Sequence, residues 1–208
     1  MDLKILYDAV VNGEIEEVAD GVKAALAENI PADKILNEAL IPAMTEVGRL
    51  FEAQEYYVPE MLISAKAMQG GLAILKPLLA AAGAVAGPQV AFGTVKGDLH
   101  DIGKNLVIMM LEGAGFQVTD LGVDVQPAKF IEAVKGGAQL IGMSAMLTTT
   151  MPNMKVTIDA LAAAGVRDQV KIMIGGAPLT QAYADQIGAD GYSQDASAAV
   201  RKAKDLLG

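Results

Sequence analysis

A chain of 208 residues, 52% hydrophobic and 20% charged, is long enough to bury one large or two small cores, and it reads as a compact soluble protein. Its net charge of −9, with no basic run, disfavours nucleic acid or an anionic membrane as partner. Cysteine is absent and histidine occurs once, which removes disulfides, thiol nucleophiles and the nitrogen and sulfur ligands of an ordinary zinc site.

The N-terminus, Met1-Asp2-Leu3-Lys4, has no apolar segment of the secretory kind, and the apolar stretches are interrupted too early to span a bilayer, so a cytoplasmic location is expected. Residues 2 to about 80 read as helices. Met1 to Val11 stops at Asn12-Gly13, and Ile15, Val18, Ala19, Val22, Ala25 and Leu26 mark a second amphipathic helix. After Pro31 the series Leu36, Leu40, Ala43, Val47, Leu50 steps by three and four, and Val58, Met61, Ala65, Met68, Leu72, Leu75 and Leu79 do the same. Four such stripes predict a four-helix bundle, with the last helix kinked or ended near Pro77. The small, uncharged run from Ala80 to Pro88 suits a linker, which divides the chain into a helical cap domain, residues 1–86, and a second domain, 87–208.

Beyond the linker the period changes. Gln89 to Val95, Phe116 to Thr119, Leu140 to Ser144 and Val170 to Ile174 read as buried parallel strands, with a weaker fifth near Gly191-Tyr192. Helical patterns lie between them near 103–114, 127–136, 152–164 and 179–187, and 196–207 closes the chain. This alternation predicts an α/β domain, a doubly wound parallel sheet with helices on both faces.

The first strand breaks at Gly97 into a loop that holds His100, and Gly103 opens the next helix. Doubly wound folds bind ligands in the crevice outside the carboxyl ends of their strands, so this loop stands where chemistry is done. Imidazole is a common metal ligand, and a carboxylate two residues away, Asp98, can take its second ring N–H; Asp101 flanks it on the other side. Position alone does not separate this reading from a solvated histidine in an Asp-rich turn.

Asp98-Leu99-His100-Asp101-Ile102-Gly103 carries the D-x-H-x-x-G pattern of the cobalamin-binding family, and nearly the whole chain resembles the corrinoid proteins of anaerobic methyltransferase systems that serve methanol, methylamines or aryl methyl ethers. It is also similar to the cobalamin-binding half of methionine synthase. The resemblance implies a flavodoxin-like, Rossmann-like sheet of strand order 2-1-3-4-5. It implies that His100 replaces the cofactor's own benzimidazole as lower axial ligand of cobalt, with Gly97, Asp98, Leu99, Asp101, Ile102 and Gly103 around it. In the segment from Ser144 to Thr150, Ser144, Met146, Leu147 and Thr148 stand where the family contacts the displaced base; Met146 replaces the usual Leu, a near-isosteric change. Gly175-Gly176 matches the glycine pair beside the nucleotide tail, and Tyr192 and Ala196 fall in the segment at its far end, where helix capping by Ser193 or Asp195 explains the same residues. Phe51 and Val58 match the apolar pair that covers the upper cobalt face in methionine synthase; without the resemblance both read as bundle core, Val58 more so than Phe51.

Other readings fail on spacing. Gly97 to Lys104-Asn105 has five residues between its glycines where a phosphate loop has four, and Asn replaces Ser or Thr. Gly142-Met143-Ser144-Ala145-Met146 lacks the second glycine of a hydrolase elbow. A receiver domain would leave the His loop and helical half unexplained, and a mutase small subunit lacks the helical half. No acid, base and nucleophile come together in the chain, so a self-sufficient enzyme is not expected. The resemblance implies a methyl carrier that binds cobalamin base-off and His-on and shuttles between a substrate-specific methyltransferase and a second methyltransferase with a thiol or tetrahydrofolate-type acceptor, with a reductive activase as further partner. A cobalamin-dependent regulator or light sensor is the alternative; it would normally carry a DNA-binding region and basic charge, and neither is visible.

Overall fold

A computed structural model of the chain describes residues 2–82 and 87–208. Two compact units result, one helical, Met1–Gly87 with Glu112–Gly115, and one α/β, Pro88–Leu111 with Phe116–Gly208. The linker expected over 80–88, and with it the boundary at 86/87, falls partly outside the described residues, as does Met1.

In the helical unit, α1 (Leu3–Asn12) starts on the Asp2 side chain, which accepts the Lys4 N–H, and stops at Gly13 in the left-handed conformation. Helix α2 (Ile15–Ala27) buries Val18, Val22 and Ala25, the stripe its spacing predicts. The third stripe is one continuous helical run of three windings: α3 (Ala32–Ile35), a π-helical turn Leu36–Leu40, and α4 (Ile41–Glu52). Pro42 has no N–H for the regular ladder, and the wide turn immediately before it shifts the register, so Ile35 and Ala39 are buried while Leu36 is only partly so. Helix α5 (Val58–Ala81) passes through Pro77 and runs on to Ala81. The helix thus ends one turn beyond the proline, which sits in the last turns, where one backbone bond is lost and the rest are kept. Met44, Met61 and Met68 are buried with Leu6, Leu40 and Leu75, so methionine serves here as core filler.

The α/β unit is a five-stranded parallel sheet of order β2-β1-β3-β4-β5. Its elements are β1 (Gln89–Val95), α6 (Ile102–Gly113), β2 (Gln117–Val125), α7 (Pro127–Lys135), β3 (Leu140–Ser144), α8 (Pro152–Ala163), β4 (Lys171–Gly175), α9 (Gln181–Ile187), β5 (Gly191–Ser193) and α10 (Ala196–Leu207), with a short 3-10 turn at Arg167–Gln169. Strands β1, β3 and β4 are covered on both faces and read as unbroken apolar runs. Strand β2 is longer than the run Phe116 to Thr119 predicts, because its second half, Asp120-Leu121-Gly122-Val123-Asp124, is polar, glycine-containing and bulged against β1. Parallel register aligns Thr94 with Ser144, Ser144 with Gly175, and Gly175 with Ser193, so residues from four strands share one row at the carboxyl edge. Among the described residues no helix is long and apolar enough to cross a membrane.

Candidate functional site

Strand β1 is interior to the sheet, with β2 on one side and β3 on the other, so the loop leaving it is flanked by the ends of both neighbours. Gly97 turns the chain with φ +81° and Asp98 closes the turn by donating its N–H to the Val95 carbonyl at 3.1 Å. The Asp98 side chain has no exposure to solvent at all. One carboxylate oxygen accepts the His100 backbone N–H at 3.1 Å and lies 2.7 Å from the ring Nδ1. The other accepts the Thr150 hydroxyl at 2.6 Å and the backbone N–H groups of Met146 at 2.8 Å and Leu147 at 3.3 Å. Burial alone would raise the Asp98 pKa, but the bonds from Thr150, Met146 and His100 outweigh it and hold the carboxyl well below the ordinary carboxylate range.

An ionised carboxylate only accepts, so the proton between it and the imidazole sits on Nδ1, an arrangement that in a neutral ring leaves the Nε2 lone pair free. The His100 side chain is 55% exposed, and the Thr94 hydroxyl, fully buried, donates to the His100 carbonyl at 2.9 Å. The imidazole is thus anchored behind and open in front. Around it Leu99 is 71% and Ile102 86% exposed, and Met146 and Leu147, whose N–H groups hold Asp98, turn their side chains outward. Gly103 is exposed in the first turn of α6, where glycine weakens a helix, and a Cβ built there would meet nothing within 4 Å. Nothing among the described residues requires glycine at that position, so what the missing side chain provides is room.

Asp101, predicted beside His100, belongs to the start of α6: its carbonyl accepts the Asn105 N–H at 2.8 Å and its carboxylate the Asn105 side-chain amide at 3.2 Å. Ser144 ends β3 half-buried, and no hydrogen bond engages its hydroxyl among the described residues; Thr148 is exposed. Gly176 has φ +136°, and a Cβ there would come within 1.9 Å of the Ala145 carbonyl oxygen, so close packing of the loop after β3 on the end of β4 accounts for this glycine. Tyr192, half-buried on β5, lines a shallow groove of about 270 Å³ with Ser193, Gln194 and Arg201. Ala196 is buried at the start of α10, which the Asp195 side chain caps by accepting the Ala198 N–H at 2.7 Å.

In the helical unit Phe51 is half-buried near the end of α4 and Val58 is the first residue of α5, 44% exposed. The bundle-core reading of Val58 is therefore corrected: the residue starts its helix before the buried stripe begins at Met61. Tyr57 and Leu62 are exposed beside it in sequence, and the connection between the helices is tied down by Tyr56 and Ser64, whose hydroxyls both donate to the Val11 carbonyl at 3.1 and 2.9 Å.

Sequence reasoning missed Thr150 and Thr94. The run Thr148-Thr149-Thr150 contains three equivalent hydroxyls, and only tertiary contact selects the buried one. Thr94 reads as an ordinary strand residue.

Two B12 binding domain families match the chain, one over residues 88–201 and the other over 3–76. The dimethylamine corrinoid protein of Methanosarcina barkeri is 45% identical over 208 residues, covering 99% of this chain and 97% of its own. Among solved structures, a cobalamin-binding protein from Desulfitobacterium hafniense superposes with a TM-score of 0.81 at 31% identity, over 100% of this chain and 99% of its own. The methanol:cobalamin methyltransferase complex MtaBC from Methanosarcina barkeri superposes with a TM-score of 0.85 at 28% identity, over 98% of this chain and 78% of the matched one. On the family matches and on this identity over nearly its full length, the chain belongs to the B12-binding corrinoid proteins.

Proposed function

We propose that the chain is a methyl carrier. It holds a corrinoid through His100 and moves a methyl group between a substrate-specific methyltransferase and a second methyltransferase whose acceptor is a thiol or a tetrahydrofolate-type group, with a reductive activase as a further partner. When bound, the corrinoid supplies a cobalt centre that takes up and gives back the methyl group. The likeness to the dimethylamine corrinoid protein favours a methylated amine as the donor class, and the likeness to a chain of the methanol:cobalamin methyltransferase complex supports methyltransferase partners.

The observation that carries this reading is the Asp98–His100 pair, a fully buried carboxylate fixing the proton of an exposed imidazole. That arrangement leaves Nε2 as a ligand of fixed direction and raised basicity. The residues around it fit a corrinoid. Among the described residues no group of three or more His, Cys, Asp or Glu side chains could hold a metal ion, so a metal engaged by His100 must bring its other ligands with it, as cobalt in a macrocycle does. Exposed Leu99, Ile102, Met146 and Leu147 supply apolar surface suited to a broad ring, and Gly103 leaves the space a side chain would fill.

In this reading Gly97 and Asp101 shape the loop that carries His100. Ser144 and Thr148 bond the displaced base, Gly175 and Gly176 present bare backbone to the nucleotide tail, and Tyr192 and Ala196 bound its far end. Phe51 and Val58 are the apolar residues the helical unit offers for excluding water from a cofactor. The test is the absorption spectrum and retention of hydroxocobalamin. Wild-type protein is expected to hold the cofactor with its own base displaced, and His100→Ala to lose retention by about a hundredfold. Equal retention with an unchanged spectrum in the variant overturns axial ligation by His100.

A further inference from the structure

Three steps along β1, from Phe92 to Val95, are matched by five along β2, from Asp120 to Val125. The surplus is taken up in two register shifts, and the second places Asp124 at φ +50°. A non-glycine residue in the left-handed region is uncommon inside a strand, and Asp and Asn tolerate it best. Asp124 is exposed, so core packing does not account for its conformation. Bulges that re-aim a side chain, and strained backbone held by its surroundings, concentrate next to functional sites.

What the conformation achieves is visible in its hydrogen bonds. The Asp124 N–H donates to the Asp98 carbonyl at 3.0 Å, and the Asp124 carboxylate accepts the Gly97 N–H at 2.7 Å. One residue therefore grips both sides of the Gly97–Asp98 segment. The Asp98 carboxylate is held separately, from the loop after β3, by Met146, Leu147 and Thr150. The Asn153 side-chain amide holds the Lys96 carbonyl from α8 at 2.7 Å. Among the described residues only Asp124 ties the backbone of the turn to β2 at Gly97 and Asp98.

We propose that Asp124 is a positioning residue for His100: by clamping Gly97 and Asp98 it fixes the direction in which the imidazole offers Nε2 to the corrinoid. This rests on the reading of His100 as the axial ligand. Without the clamp the Asp98–His100 pair persists, but the turn that carries it can pivot on the β2 side. Ligation then weakens while fold and apolar surface stay as they are. Asp124→Gly keeps the backbone conformation at no steric cost and removes the acceptor for Gly97. Asp124→Asn keeps both.

The experiment loads uniformly ¹⁵N-labelled full-length protein with hydroxocobalamin, reduces the cobalt by one electron, and records the electron paramagnetic resonance spectrum together with the dissociation constant. A protein nitrogen on cobalt splits the lines into doublets, whereas the unlabelled base of the cofactor gives triplets. Wild type and Asp124→Asn are expected to show doublets with similar affinity; Asp124→Gly is expected to lose a large share of the doublet signal and to bind about tenfold more weakly. Full doublets at wild-type affinity in Asp124→Gly overturn the clamp. So does an equal loss in both variants, which would trace the effect to charge, and so does failure of Asp124→Gly to fold, which would make Asp124 a residue of the fold. Triplets in wild type instead remove the axial reading itself, and the clamp with it.

Discussion

The loop after β1 and the loop between α4 and α5 both present functional candidates, yet they are held by opposite means. Around His100, five donors converge on one buried carboxylate, and they come from the loop after β1 and the loop after β3. Around Val58 the candidates are apolar, Val58 exposed and Phe51 half-buried, and the hydroxyls of Tyr56 and Ser64 fasten the connection on the Val11 carbonyl. The first site is a direction fixed by polar geometry, in which each member depends on the others. The second is an apolar surface offered to solvent, with no polar network to aim it.

Removing the carboxylate strains this contrast most. Asp98→Ala leaves the Met146 N–H without its acceptor and the Thr150 hydroxyl with the Leu147 carbonyl alone, and a loss of about 3 kcal/mol in apo-protein stability is expected by denaturant unfolding. The same carboxylate makes stability depend on pH. Its folded pKa lies below the ordinary value of 3.8, so the stabilisation is complete above that value and is lost as pH falls below it towards the folded pKa. Acid unfolding curves are expected to show this component in wild type and to lack it in Asp98→Asn.

Thr150→Val keeps the shape and removes one donor, and a loss of about 1–2 kcal/mol is expected in the same measurement. His100→Ala removes a side chain more than half exposed, so a change within about 0.5 kcal/mol is expected in apo stability beside the large loss in cofactor retention. Val58→Ala is expected to cost about 0.5 kcal/mol or less on thermal unfolding. A cost equal to that of Thr150→Val would place Val58 in the core and abolish the distinction between the two loops.

Much of the architecture is legible in local pattern. The helical stripes of α1, α2 and α5, the apolar runs of β1, β3 and β4, and Gly13 as a stop signal all answer to periodicities of a few residues. Where the reading falls short, a second influence competes with the period. The π-turn before Pro42 brings Ile35 and Ala39 into the third stripe beside Leu40, Ala43 and Val47, α5 runs past Pro77 to Ala81, and the bulge hides the second half of β2. Within the site, Asp98 and His100 are two residues apart and so declare themselves. Thr150 and Asp124 are 52 and 27 residues from their partners and leave no spacing to read.

Sequence alone determined the order of helices and strands, the strand-to-helix turn with its one histidine, and the carboxylate beside it, because each depends on neighbours within a turn or a strand step. Tertiary structure alone decided which of three threonines reaches Asp98, that Asp124 bends back onto the turn, and that Val58 faces solvent. The first two outcomes depend on strands brought side by side from distant parts of the chain, and the third on how the helices pack. The free energy of burying a carboxylate among five donors exists only once the sheet has closed around it.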